Sequence, residues 1–173
     1  MAAGSLQIHN MRALIEADSS GGIRHLGCTT GGDLYTFAHR TLTVAVDNTL
    51  DDIDKTVTVP AGRIWWVHSI TVTLITSATV GDRLIRFDTL TSDASAGIRG
   101  AAGAVLAAST RGFYSFFPGA PLDTAFIDRT ISAPIPTRML LIAADIIRVR
   151  EINAVDAGSD DMLTRIVYDE ITV

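Results

Sequence analysis

Residues 56–87 read TVTVPAGRIWWVHSITVTLITSATVGDRLIRF, and their period decides the fold class. KTVTV (55–59) alternates polar and apolar side chains. Pro60-Ala61-Gly62 then supplies corner chemistry, with proline fixing φ and glycine accepting positive φ. RIWWVHSITVTLIT (63–76) alternates throughout, so successive side chains point to opposite faces of a strand. Uniform parity assigns Trp66, His68, Ile70, Val72 and Leu74 to a core face. It assigns Trp65, Val67, Ser69, Thr71, Thr73 and Ile75 to the other. That second face is apolar at its start and threonine-rich in its middle, as expected of a sheet face partly covered by another chain or by an arm of the same one. His68 falls on core parity and is read as a core histidine bonded to backbone. TSATVGDR turns the chain, and LIRF (84–87) continues it.

Outward from this stretch, TLTVAV (41–46) alternates with period two, and DNTLDDID reads as an acidic turn. Asp51, Asp52 and Asp54 lack the spaced ligands, central glycine and distal glutamate of a calcium loop. SDASAGIRGAAGA (92–104) reads as a Gly-rich loop. The segment 105–122 reads as a hairpin around Thr110-Arg111-Gly112. Within it, Phe113, Ser115 and Phe117 share one face and Tyr114 and Phe116 the other, and aromatics on both faces imply burial on both. Prolines at 118, 121, 134 and 136 exclude helices between them. TRMLLIAADIIRVREI (137–152) reads as two strands joined at Ala-Ala-Asp, with Arg148 and Arg150 opposite Ile147 and Val149 in parity. MLTRIVYDEITV (162–173) is a closing strand. The Ala-rich 100–108 segment is the weak helix candidate. About eight strands with turns at short intervals predict an all-β antiparallel sandwich over 41–173.

Residues 1–40 form a separate arm. MRALIEA, IRHLGC and LYTFAH are divided by DSSGG and TTGGD, a spacing that predicts a small β-meander. Such short strands bury little by themselves, so the arm is expected to lie on the main domain or on a neighbouring subunit.

Composition narrows function. The chain has 173 residues, a net charge of −5 and 47% hydrophobic residues, with a mean hydropathy of +0.31. No apolar run is long enough to span a bilayer as a helix, and MAAGSLQIHNMRALIEAD lacks the blocks of a secretory signal. The excess apolarity points to subunit interfaces. Lys55 is the single lysine beside thirteen arginines. The basic residues are dispersed, so neither nucleic acid nor membrane is expected as a partner. Cys28 is the only cysteine, which excludes an intrachain disulfide. His25 and His39 have no third ligand at metal spacing. Hydrolase, phosphate-loop, zinc and dinucleotide motifs are absent. The aspartates, among them Asp18, Asp33, Asp93, Asp123, Asp145 and Asp156, sit at turn positions. No catalytic residue, cofactor or metal is assigned, and the chain is read as a non-enzyme.

Three segments carry a resemblance: residues 56–87 with their PAG corner and Trp-Trp strand, FYSFFPGAPL, and MLLIAADIIRV followed by VYDEITV. Together they resemble small virion structural proteins of tailed bacteriophages across residues 56–173. The departures are Ala-Ala-Asp in place of the usual proline-glycine turn and the Gly/Ala-rich 92–104. The resemblance implies a jelly-roll-like sandwich in the virion, often trimeric, serving as a capsid decoration (cement) protein or as part of a neck, tail or fibre. A homotrimer bound to the major capsid protein or to other virion proteins is the partner expectation. Aromatics and arginines dominate interface hot spots, so Arg12, Arg24, Tyr35, Phe37, Trp65 and Val67 are the interface candidates. The alternative, a carbohydrate-binding sandwich, requires exposed coplanar aromatics such as Tyr114 or Trp65.

Overall fold

The computed structural model describes residues 25–28, 34–37, 40–51, 54–93, 95–153 and 159–172. Every regular element among them is a strand: β1 (His25–Cys28), β2 (Leu34–Phe37), β3 (Arg40–Asp51), β4 (Lys55–Thr58), β5 (Arg63–Ile75), β6 (Ile85–Leu90), β7 (Ala96–Ala101), β8 (Arg111–Pro118), β9 (Thr130–Ile135), β10 (Met139–Leu141), β11 (Ile146–Glu151) and β12 (Asp161–Thr172). The expected all-β sandwich is what forms.

Two sheets face each other. The first runs β3-β12-β5-β8-β9, with β10 pairing β5 beside β8; the second runs β4-β11-β6-β7. The chain changes sheet at most of its connections. As a result, β3-β12-β5-β8 and β4-β11-β6-β7 reproduce the interleaved strand order of a jelly roll. β9 and β10 are insertions on the first sheet. The pairing is antiparallel except between β8 and β9, which run parallel. In the arm, β1 and β2 form an antiparallel hairpin with Cys28 opposite Leu34 and His25 opposite Phe37. The first segment of the expected meander, MRALIEA, lies outside the described residues.

Several local expectations are corrected by long-range pairing. β3 runs through the acidic stretch to Asp51, because β12 offers it a partner as far as Met162. β7 forms inside the Gly-rich segment as a hairpin with β6, and a Cβ at Gly100 would run into the Phe87 ring. The glycine there serves close packing of strand on ring. No hairpin forms around residues 110–112. Leu106 bridges Arg83 instead, through Arg83 N to Leu106 O at 3.2 Å and Leu106 N to Arg83 O at 2.8 Å. The Ala-rich segment adopts strand and loop rather than helix. β10 and β11 are consecutive but belong to different sheets, so Ala-Ala-Asp turns the chain across the sandwich rather than closing a hairpin.

The core lies between the sheets. Phe87 of β6 meets Phe116 of β8 edge-on, with centroids 5.4 Å apart at 74°. Ile70, Leu74, Ile85, Ile131, Met139, Ile147, Met162 and Ile166 belong to the same buried cluster. Trp65 stacks on Tyr168 at 3.9 Å, and its indole N–H donates to Glu170 Oε2 at 3.0 Å. The only lysine is buried: Lys55 Nζ donates to Thr49 O at 2.9 Å and sits 3.6 Å from Asp47 Oδ1. Burial raises the Asp47 pKa, but the Thr49 N–H and the Lys55 ammonium outweigh it, and the carboxyl titrates below its ordinary value.

The corner before β5 and the corner before β11 lie side by side. Val59 N donates to Asp145 O, and Ala144 N donates to Val59 O, each at 2.9 Å. Gly62 sits at φ 70° and so does Ala144. Alanine in the left-handed region is strained by about 1–2 kcal/mol. Ala144→Gly is therefore expected to stabilise the fold by about 0.5–1 kcal/mol, net of the added chain entropy. In a thermal melt the midpoint should rise by about 2–4 °C; a fall would mean that the neighbouring bonds leave Ala144 unstrained.

Candidate assembly surface

The site begins with an irregularity in β5. Val167 of β12 pairs with Ser69, and the next residue, Tyr168, pairs with Val67. His68 is the extra residue of a β-bulge, and a bulge reverses which side chains face inward. Beyond it the expected parity holds, with Ile70, Val72 and Leu74 buried. Before it the parity inverts: Trp65 and Val67 are 3% and 0% exposed in the core, while Trp66 and His68 turn outward. Trp65 and Val67 are thus core residues of a single chain, not interface residues. His68 is half-exposed, and its Nε2 lies 2.7 Å from Asp169 Oδ2, so its partner is a carboxylate rather than backbone.

This swap defines the outer face of the first sheet. Pairing register places Leu42, Val44 and Val46 of β3 beside Asp169, Val167 and Arg165 of β12. Next come Ser69, Thr71 and Thr73 of β5, then Ser115 and Phe113 of β8, with Phe117 further along β8. Leu140 of β10 stands opposite Trp66. The result is a hydroxyl-rich centre between apolar margins. Leu42 is 66% and Val46 51% exposed. Phe113 and Phe117 are also open to solvent, so the aromatic segment is buried on one face only. A depression of about 280 Å³ runs between Val46, Thr71, Thr73 and Arg165.

Among the described residues, β3 is also an outermost strand of its sheet. Native sheets guard their edges with short strands, proline or charge. β4 has four residues, β7 is broken by glycines, and β9 carries Pro134. β3 has twelve residues, RTLTVAVDNTLD, without proline, and its charges, Arg40, Asp47 and Asp51, leave an uncharged run at 41–46. Among the described residues no strand pairs with its outer side, and Leu42, Val44 and Val46 are exposed along it, a surface suited to adding another strand.

The outer face of the second sheet is chemically opposite. Asp88 of β6 is fully buried beneath Arg86, Arg99, Arg148 and Arg150. Arg148 and Arg150 share this face, as their parity requires, whereas Asp88 departs from the turn role expected of the aspartates. The signal for it was an aspartate at a strand centre, in IRFDTL. Asp93, by contrast, behaves as expected: it accepts from Ser95 N at 2.9 Å and Thr91 Oγ1 at 2.5 Å in the β6–β7 turn. The Thr91 hydroxyl and the Ser95 N–H lower its pKa to about 2.

The remaining candidates fall as follows. Arg12 and His39 lie outside the described residues, as does Arg24. Tyr35 and Phe37 sit in β2 opposite Gly27 and His25. Tyr114 and Trp65, the aromatic pair of the carbohydrate reading, are both buried in the core. Asp54 lies 3.8 Å from Arg148. Among the described residues no three His, Cys, Asp or Glu side chains converge as a metal site, and no helix is long and apolar enough to cross a membrane.

No family model matches the chain, and no curated protein does. Among solved structures it is similar to that of infectious bursal disease virus Gx strain, with 14% identity and a TM-score of 0.34 over 86% of this chain and 37% of that one. It is also similar to a mutant VP2 protein of infectious bursal disease virus in derived T=1 particles, with 15% identity and a TM-score of 0.34 over 81% of this chain and 34% of that one. The chain spans little more than a third of the length of these viral chains.

Proposed function

We propose that this chain is a structural protein of a tailed-bacteriophage virion, a decoration (cement) protein that binds the assembled head as a homotrimer and stabilises it. The observation that carries the reading is the outer face of the first sheet, where Leu42, Val44 and Val46 are exposed along the uncharged run of the long outer strand β3. A lone chain gains nothing from exposing such a surface, and contiguous apolar patches mark interaction sites. The resemblance of residues 56–173 to small phage virion proteins supplies the setting, with assembly onto heads in the host cytoplasm. The mechanism is thermodynamic. A protein that binds the assembled shell and not its separated subunits stabilises the shell by mass action. Ligation across neighbouring capsomers needs no catalytic group, only complementary surface.

Val44→Lys places a charge in the middle of the β3 face without touching the core. It is expected to weaken self-association and head binding by about tenfold or more, with the monomer's thermal midpoint unchanged. Sedimentation and a capsid heat-release assay measure the two effects. A wild-type protein that sediments as a monomer and does not bind emptied mature heads overturns the proposal. Copy number separates the runner-up reading: hundreds per virion fit decoration, and a handful fit a neck, tail or fibre.

A further inference from the structure

The arginine cluster on the second sheet holds more positive charge than its own carboxylate neutralises. Arg148 stands directly opposite Asp88 on the neighbouring strand, Asp88 opposite Arg99, and Arg150 opposite Arg86. The last is a like-charge pair across a sheet, an arrangement that is destabilising by itself. Asp88 Oδ2 accepts from Arg148 Nη2 at 3.1 Å and Arg86 Nη2 at 3.3 Å. Arg150 Nε lies 3.2 Å from Oδ2 and Arg99 Nε 3.4 Å from Oδ1. Four guanidiniums against one carboxylate leave a net +3, which falls to +2 when Asp54, beside Arg148, is included. Each guanidinium carries five N–H donors, and one carboxylate offers about four acceptor positions. The pairing within the cluster is also loose: the buried Nε atoms of Arg86, Arg148 and Arg150, and Oδ1 of Asp88 itself, have no aligned hydrogen-bond partner.

We infer that this cluster is a binding site for carboxylates, and that its occupant is a short acidic segment of a partner protein that sets two or three Asp or Glu side chains on the guanidinium forks. Arginine binds carboxylates bidentately and in a fixed plane. The cluster covers three adjacent strands, roughly 10 Å across at ordinary strand spacing. That extent matches a few carboxylates. A nucleic-acid backbone needs an extended basic track, and outside this patch the chain is acidic, with −5 overall. The surface lies on the sheet opposite the apolar β3 face, so the two faces can engage different partners at once.

The experiment uses the purified full chain and a fluorescent hexaglutamate peptide, read by anisotropy at low salt and at about 0.15 M. Arg99→Gln/Arg150→Gln is expected to weaken binding by about tenfold and to flatten its salt dependence. Arg129→Gln/Arg138→Gln removes the same charge from exposed positions elsewhere and is expected to leave binding nearly unchanged. Should the double variant not fold, Arg99→Gln alone, at the most exposed of the four, is expected to weaken binding by about threefold. Failure of the wild type to bind hexaglutamate at low salt overturns the inference. So does equal weakening by the control pair, or tighter binding of a single-stranded oligonucleotide of matched charge. None of these readouts involves heads or self-association, so the inference and the virion proposal stand or fall separately.

Discussion

Trp65→Ala is expected to cost about 3–5 kcal/mol of folding stability, in the range of a buried aromatic truncation, while Trp66→Ala costs about 1 kcal/mol or less. The two residues are neighbours in sequence and identical in type, so the contrast isolates environment. Trp65 loses its stack on Tyr168 and the indole bond to Glu170, and its removal leaves a void against the core. Trp66 stands on the outer face opposite Leu140, where truncation exposes no interior. Urea unfolding of both variants measures the difference, and equal midpoints would mean that β5 is not bulged at His68. The same pair separates fold from assembly. Trp66→Ala is the variant that should weaken partner binding, a role that uniform parity assigns to Trp65.

Arg83→Met should be comparably damaging, at about 3–5 kcal/mol, because it strands a buried charge. Arg83 and Asp160 are both fully buried, and every nitrogen of the guanidinium donates. Nε reaches Asp160 Oδ2 at 2.8 Å and Nη2 reaches Oδ1 at 3.2 Å. Nη1 holds Thr79 O at 2.7 Å and Gly81 O at 2.9 Å, and Nη2 also meets Ser77 Oγ at 3.2 Å. Ser77 N completes the knot with a 2.6 Å bond to Asp160 Oδ1. The pair ties the β5–β6 connection to the residue that precedes β12. Arg83→Met/Asp160→Leu should cost less than the sum of the single changes, since it removes both charges together; strict additivity in a double-mutant cycle would show that the two groups do not interact.

The pH dependence follows from the same geometry. Burial raises the Asp160 pKa, but the bonds from Arg83 and Ser77 outweigh it, and the carboxyl titrates below its ordinary value. A depressed carboxylate contributes stability that is complete above the unfolded pKa, about 4, and is lost as pH falls through the lower folded value. Wild type is therefore expected to weaken below about pH 4, and Arg83→Met to show a shallower acid limb in the same urea series.

The legibility of the chain follows the range of the interactions involved. KTVTV, the Thr-rich half of β5, FYSFF and MLTRIVYDEIT were readable as strands because alternation is imposed by the pleat, residue by residue. The Gly-rich 92–104 segment and the acidic 47–51 segment were not. Their strands exist because β6 and β12 supply partners, and local propensity argues against them. Unbroken parity through His68 points Trp65 and Val67 outward, and the bulge reverses it. A bulge belongs to two strands together, and nothing in RIWWVHSITV marks it.

The sequence by itself determined an all-β sandwich, its corners and most of its inward residues, since period-two burial and turn chemistry are local properties. Tertiary structure decided which tryptophan enters the core, that β10 and β11 part into different sheets, and that Asp88 lies beneath four arginines. It also joined Arg83 to Asp160 across 77 positions. Each of these depends on register between strands distant in the chain, and register is set by the packing of the whole sandwich rather than by any one segment.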